Sequence, residues 1–224
     1  MTSRLRVALP SAIGLTAFVL VLFVPAGTLH YWRGWAFLAV FSIVTLLPGP
    51  YLRRNDPAAL ERRTHAGPGA ETRTVQKIVI TATFVVSAAL VVVSVLDYRF
   101  GWSRVPVGIS VLGDVLVAGG LGLSLFVVVQ NRYASANITV EDGQPLVSTG
   151  LYGFVRHPMY FGTVIMMVGI PLALGSYWGL LLVIPGVILL VVRIIDEEKM
   201  LTAELAGYRD YMQKVRYRLA PLLW

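Results

Sequence analysis

The chain has 224 residues, of which 56% are hydrophobic and only 14% are charged. Soluble domains carry roughly 25% charged residues, so this composition argues against a soluble enzyme and indicates a protein that crosses a membrane several times. The net charge of +7 would suggest nucleic acid for a soluble domain. Basic loops at the cytoplasmic membrane surface explain it instead, and we expect no nucleic-acid partner. The lack of cysteine excludes disulfides, thiolate metal sites and cysteine nucleophiles.

Apolar runs near the roughly 20 residues that cross a bilayer predict the membrane segments. In chain order they cover residues 7–29, 34–51, 78–96, 105–129, 159–174 and 177–195. The pattern predicts an all-α, multi-spanning integral membrane helix bundle of about five to six segments. Its last two segments form a helical hairpin, and a C-terminal helix follows at the cytoplasmic surface. Residues 1–129 would form an N-terminal bundle of four spans, and residues 130–224 a second region that contains the hairpin and the C-terminal helix.

The basic residues predict the orientation. With a cytoplasmic N-terminus, 16 of the 19 Lys and Arg residues lie on the cytoplasmic side, and only Arg33, Arg99 and Arg104 lie on the other. This asymmetry predicts a protein of the cell (inner) membrane with both termini in the cytoplasm. The loop 53–77 is either a mobile linker or an interfacial helix that starts near Asp56.

Polar residues concentrate in three clusters of the last hundred residues. The first is Asn137 with residues 143–152, which a plain connecting loop also explains. In the second, residues 156–162, Pro158 suits a helix start whose free N–H groups favour an anion such as a carboxylate. The alternative there is a membrane helix that begins with an interfacial Arg and Tyr. The third, Arg193 with residues 196–198, is a solvated charge run or a carboxylate site for a cationic or polyhydroxyl ligand.

No metal site is expected, because the three histidines lie in different predicted loops without a ligand spacing. The three clusters, in this order and spacing, resemble the isoprenylcysteine carboxyl methyltransferase family and its bacterial relatives. The motifs that carry the resemblance are Gly143-Gln144-Pro145-Leu146-Val147, Gly150-Leu151-Tyr152, Arg156-His157-Pro158-Met159-Tyr160-Phe161-Gly162, Arg193 with Glu197-Glu198, Gly207-Tyr208-Arg209-Asp210-Tyr211 and Arg216-Tyr217-Arg218-Leu219-Ala220-Pro221. They cover roughly residues 125–224, and the resemblance implies that residues 130–224 form a cofactor-binding and catalytic region.

The resemblance implies a membrane methyltransferase that uses S-adenosylmethionine on a lipophilic small-molecule or prenylated acceptor, with membrane lipid as its surroundings. It assigns the cofactor to eleven positions: Asn137, Gln144, Pro145, Leu146, Val147, Tyr152, His157, Pro158, Met159, Tyr160 and Glu197. Asn137 stands where eukaryotic members carry a longer glutamine, and Met159 replaces a small serine. Arg193 falls where the family holds the carboxylate of the acceptor, so it is both the predicted substrate-binding residue and a predicted catalytic residue.

Arg193 favours methylation of an isoprenylcysteine-like carboxylate, which needs no general base because it is already ionised. A phospholipid-type amine methyltransferase has a similar C-terminal region and needs a base, for which Glu198 is the predicted catalytic residue. An NADPH-dependent membrane reductase of the sterol or enone type is a further alternative. A non-catalytic transporter or partner protein would place more ionisable groups inside the spans than this chain has.

Overall fold

The computed structural model describes residues 3–58, 60, 69, 73–134, 139–141, 143–221 and 224. Within these ranges the regular structure is helical and contains no strand, which confirms the predicted all-α class. The helices are α1 (Ser3–Ala26), α2 (Trp32–Leu46), α3 (Pro48–Asn55), α4 (Thr74–Phe100), α5 (Val107–Gln130), α6 (Pro158–Ala173), α7 (Val183–Glu204) and α8 (Tyr208–Lys214), with 3-10 turns at Gly150–Gly153 and Trp178–Leu182. Asn137 and twelve of the 25 residues of the loop 53–77 lie outside the described residues.

Six described segments are apolar helices, in agreement with the six predicted runs. Four are long and apolar enough to cross a membrane: Trp32–Asn55, Thr74–Phe100, Val107–Gln130 and Trp178–Glu204. The shorter apolar helices are Ile13–Ala26 and Pro158–Ala173. A helix pairs its backbone N–H and C=O groups internally. This is required in a bilayer, because hydrocarbon offers no hydrogen-bond partner. The predicted multi-spanning membrane bundle is therefore confirmed.

One end of the bundle, which we call the turn end, is formed by the connections 27–31, 101–106 and 174–177. The Tyr31 hydroxyl donates to the Leu174 carbonyl oxygen at 2.6 Å. The Arg33 guanidinium donates to the Val105 carbonyl oxygen, also at 2.6 Å. Since the turn between α6 and α7 lies level with these loops, the predicted hairpin runs the full height of the bundle.

A buried carboxylate anchors the hairpin to α4. Asp97 is fully buried and accepts hydrogen bonds from the Ser103 backbone N–H at 2.6 Å, the Ser176 hydroxyl at 2.5 Å and the Trp178 backbone N–H at 3.3 Å. Burying an acid is tolerable only when its oxygens are satisfied in this way. These contacts fix the position of α6 and α7 along the long axis of the bundle, and thereby the position of their opposite ends.

The main apolar core fills the bundle between its helices. It includes the fully buried side chains Leu22 of α1, Phe37 of α2, Leu90 of α4, Val117 of α5 and Leu174 of the hairpin turn. A smaller cluster lies at the other end, where Leu52 of α3 packs with Val127 and Val128 of α5. Tyr152 and Met159 pack against this smaller cluster, so it supports two residues of the predicted site.

Glycines let α5 and α6 approach closely. A Cβ atom on Gly120 would lie 2.4 Å from the Gly162 carbonyl oxygen, and one on Gly113 would lie 2.2 Å from the Ala173 nitrogen. By contrast, a Cβ on Gly119 would meet no atom within 4 Å. Small residues are the usual means of close helix packing in lipid. The glycine-rich face of α5 thus packs within the protomer through Gly113 and Gly120.

Substituting Gly120 with alanine should destabilise the bundle by about 1–3 kcal/mol, because backbone atoms would have to separate to admit the methyl group. Thermal unfolding in detergent measures this change. Gly119→Ala is the matched control, and it should unfold at the same temperature or slightly higher because alanine favours a helix over glycine. Equal unfolding temperatures for the two variants would contradict the packing described above.

Candidate functional site

The end of the bundle opposite the turn end is closed by two non-helical segments. Gln130, the last residue of α5, donates to the Thr149 carbonyl oxygen and accepts from the Leu151 backbone N–H. The backbone N–H groups of Arg156 and His157 donate to the carbonyl oxygens of residues 217 and 218 at 2.9 and 2.8 Å. The C-terminal segment is thereby tied against the start of α6.

A pocket of about 760 Å³, counting the part open to solvent, lies at this end. Ten of the eleven residues predicted to bind a cofactor line it: Gln144, Pro145, Leu146, Val147, Tyr152, His157, Pro158, Met159, Tyr160 and Glu197. The eleventh, Asn137, is outside the described residues. Residues up to 53 positions apart in the chain are thus brought together around one space.

Several lining residues were not predicted as site residues. They are Asn131, Tyr133, Ala134, Thr139, Arg156, Met200, Leu201, Leu205, Tyr208 and Tyr211. Helical spacing was a signal for two of them, since Met200 and Leu201 lie three and four residues after Glu197 on the same face of α7. Tyr208 and Tyr211 belong to one of the motifs that carry the resemblance, but the sequence analysis assigned neither of them to the site.

Glu198 is the centre of a buried ion cluster beside the pocket. Its Oε1 lies 2.7 Å from Arg156 Nε and 3.3 Å from His157 Nε2, and its Oε2 lies 2.8 Å from Arg218 Nε. The side chains of Arg156, His157 and Glu198 are each at most 7% exposed. Glu198 does not line the pocket. It joins α7 to the start of α6 and to the C-terminal segment.

Arg193, the predicted substrate residue, also lies behind the first layer of lining residues. Its Nε donates to the Tyr160 hydroxyl at 3.1 Å, and that hydroxyl donates to Glu197 Oε2 at 2.6 Å. A second guanidinium nitrogen donates to Gln76 Oε1 at 3.0 Å. Tyr160 therefore connects the predicted acceptor residue with a predicted cofactor residue.

The first turn of α4 contributes to this network, although the sequence indicated nothing there. Gln76 is fully buried, contacts Arg193 and donates from its amide nitrogen to Asp196 Oδ2. Arg73 donates to Asp196 Oδ1 at 2.7 Å. Asp196 thus has partners in the region of the first four spans, whereas the partners of Glu197 and Glu198 lie in the C-terminal region. The three acids are therefore not a solvated charge run.

Tyr152 and Tyr211 of the pocket are neutral groups at physiological pH. Burial raises the pKa of Tyr152 to about 12. A hydrogen bond from Asn131 lowers this pKa but does not offset the effect of burial. The pKa of Tyr211 is also raised above its usual range, chiefly by burial. The Tyr211 hydroxyl donates to the Tyr152 carbonyl oxygen at 2.8 Å. These phenols can therefore donate hydrogen bonds but do not act as bases.

One known family matches a part of the chain that includes most of the residues lining this pocket. The phospholipid methyltransferase family matches residues 109–209, a range that includes most of α5, the connection between α5 and α6, the hairpin and the start of α8. A search of curated proteins found no match. Phospholipid methyltransferases and isoprenylcysteine carboxyl methyltransferases belong to the same methyltransferase superfamily. The match therefore supports a membrane methyltransferase whose pocket lies in the matched region.

Proposed function

We propose that the protein is an S-adenosylmethionine-dependent methyltransferase that modifies a lipophilic acceptor within the membrane. One observation carries this proposal: Tyr152, His157, Tyr160 and Glu197 line a single polar pocket at one end of an apolar helix bundle. A polar cofactor can enter such a pocket from water, while an acceptor with a lipid tail reaches it from the bilayer. The family match supports the same reaction class.

The lining residues fit the chemical groups of this cofactor. α6 begins at Pro158 after His157, so the positive end of its dipole favours the cofactor's carboxylate. Glu197 would accept hydrogen bonds from its hydroxyl or amino groups. Tyr152 would offer a π-face to its sulfonium, a contact of about 0.5–2 kcal/mol. The bound cofactor supplies an electrophilic methyl group, and the protein supplies position and exclusion of water, of which orientation alone is worth roughly 7–11 kcal/mol.

Arg193 supports a carboxylate acceptor, as in an isoprenylcysteine-like substrate. Its guanidinium matches a carboxylate in two parallel hydrogen bonds, and Tyr160 and Gln76 fix its orientation. Glu198 contacts two arginines and a histidine, so we assign it a positioning role instead of the base that an amine acceptor needs. The family match supports the second candidate, a phospholipid acceptor methylated on its amine, because the family description names phospholipid methyltransferases.

We propose that the pocket faces the cytoplasm, with both termini on that side of the cell membrane. Arg33 and Arg99 bond to the backbone at the turn end, whereas Arg73, Arg132, Arg156 and Arg218 form ion pairs at the pocket end. The concentration of basic residues at the pocket end is the pattern expected of a cytoplasmic side.

Titration of the purified protein with S-adenosylmethionine and with NADPH tests the proposal. We expect S-adenosylmethionine to bind, and Glu197→Ala to weaken its binding by roughly 10- to 100-fold, since hydrogen bonds to charged groups are worth about 1.5–3 kcal/mol. His157→Ala should weaken binding as well. Glu204→Ala removes an exposed acid from the same helix and should leave affinity unchanged. Binding of NADPH alone would overturn the proposal in favour of a reductase.

A further inference from the structure

The Tyr208 hydroxyl is a buried polar group without a partner. Tyr208 lines the pocket, its residue is only 3% exposed, and its hydroxyl oxygen makes no hydrogen bond within the described part of the chain. Leaving a buried hydroxyl unpaired is unfavourable, because the group has lost its hydrogen bonds to water and gained none in the protein. Such a group calls for an explanation, and a ligand that supplies the missing partner is one.

The surroundings of Tyr208 indicate which chemistry the partner would have. Burial raises the pKa of Tyr208 far above its usual range, and the negative charges of Glu198 and Glu197 raise it further. The positive charge of Arg156 lowers this pKa by a smaller amount. The phenol therefore stays protonated and acts as a hydrogen-bond donor toward the acidic side of the pocket.

Glu197 provides the complementary group. Its Oε2 accepts from Tyr160 at 2.6 Å, and its Oε1 accepts no hydrogen bond from the residues that the structure describes. A pocket that presents one donor and one acceptor suits a ligand hydroxyl, which accepts from the phenol and donates to the carboxylate. An ammonium group cannot accept, and a carboxylate would be repelled by Glu197.

We infer that the Tyr208 hydroxyl donates a hydrogen bond to a ribose hydroxyl of the bound cofactor, which in turn donates to Glu197 Oε1. This inference rests on the proposed function. It assigns Tyr208 as a cofactor-binding residue and makes the nucleoside sugar the part of the ligand that the start of α8 recognises.

The test is calorimetric titration of the full-length protein and its Tyr208→Phe variant with S-adenosylhomocysteine and with its 2′-deoxy and 3′-deoxy analogues. We expect Tyr208→Phe to weaken binding of S-adenosylhomocysteine by about 3- to 10-fold. It should not change the affinity for the analogue that lacks the contacted hydroxyl. Tyr217→Phe, at an exposed tyrosine of the C-terminal segment, is the matched control and should bind all three ligands normally.

A ligand-free unfolding measurement separates binding from structure. Because the hydroxyl has no partner, Tyr208→Phe should unfold at the same temperature as the unsubstituted protein or higher. The inference is overturned if the variant binds S-adenosylhomocysteine normally, loses affinity equally for all three ligands, or unfolds at a lower temperature without ligand. If the unsubstituted protein binds no S-adenosylhomocysteine, the proposed function itself fails, and the inference with it.

Discussion

Glu198→Ala should be the most destabilising single substitution discussed for this protein, with an expected loss of about 3–5 kcal/mol. Removing one member of a buried ion pair leaves an uncompensated charge, here chiefly that of the buried Arg156. Here Arg156 and Arg218 would both lose their carboxylate partner, and His157 would lose a contact at 3.3 Å. Thermal unfolding in detergent should show a fall of roughly 6–20 °C for a chain of this length.

The comparison for this prediction is Glu204→Ala, which removes an exposed acid from the last turn of α7. Its unfolding temperature should stay within about 1–2 °C of the unsubstituted protein, since exposed charges contribute little. If Glu198→Ala were as stable as Glu204→Ala, the ion cluster would not hold α7, α6 and the C-terminal segment together as described.

Arg193→Ala should abolish most turnover while leaving the affinity for S-adenosylmethionine nearly unchanged. Arg193 does not line the pocket itself, and its nearest pocket residue is Tyr160, which keeps its own hydrogen bond to Glu197. Losing charge-assisted hydrogen bonds to an acceptor carboxylate should lower turnover by roughly 100-fold. Methyl transfer to an isoprenylcysteine-type acceptor, with cofactor binding measured in parallel, checks both parts.

Two further variants make the Arg193 result specific. Arg193→Lys keeps the charge but loses the planar fork, so it should recover only part of the activity. Lys199→Ala removes an exposed cation from the same helix and should retain full activity. An Arg193→Ala protein that no longer binds cofactor would show that the role assignment is wrong. Full activity of that variant on a phospholipid amine would favour the phospholipid candidate.

The positions of the membrane helices in the sequence could be predicted from patterns that are local in the chain. The apolar runs predicted α4, α5 and the hairpin within a few residues, because length and hydropathy are set by the bilayer. The clusters around Tyr152, His157 and Glu197 also came from short motifs. The last apolar run ends at residue 195, but its helix, α7, continues to Glu204.

What the sequence did not predict depends on contacts between distant segments. The sequence left open whether Asp196 and Glu198 form a solvated charge run or a carboxylate site. Their partners, Arg73, Arg156 and Arg218, come from three other parts of the chain. Gln76 was missed for the same reason, since a single polar residue in the first turn of a helix carries no pattern. The unpartnered hydroxyl of Tyr208 becomes visible only when burial and hydrogen bonds are both known.

Ultraviolet crosslinking of methyl-tritiated S-adenosylmethionine, followed by peptide mapping, tests the central claim most directly. The account predicts label in peptides that contain residues 144–160 or 197–211, and loss of that label in the presence of excess S-adenosylhomocysteine. Label confined to residues 13–58 or 73–106, or label that excess S-adenosylhomocysteine does not reduce, would contradict a cofactor site at the pocket end of α6 and α7.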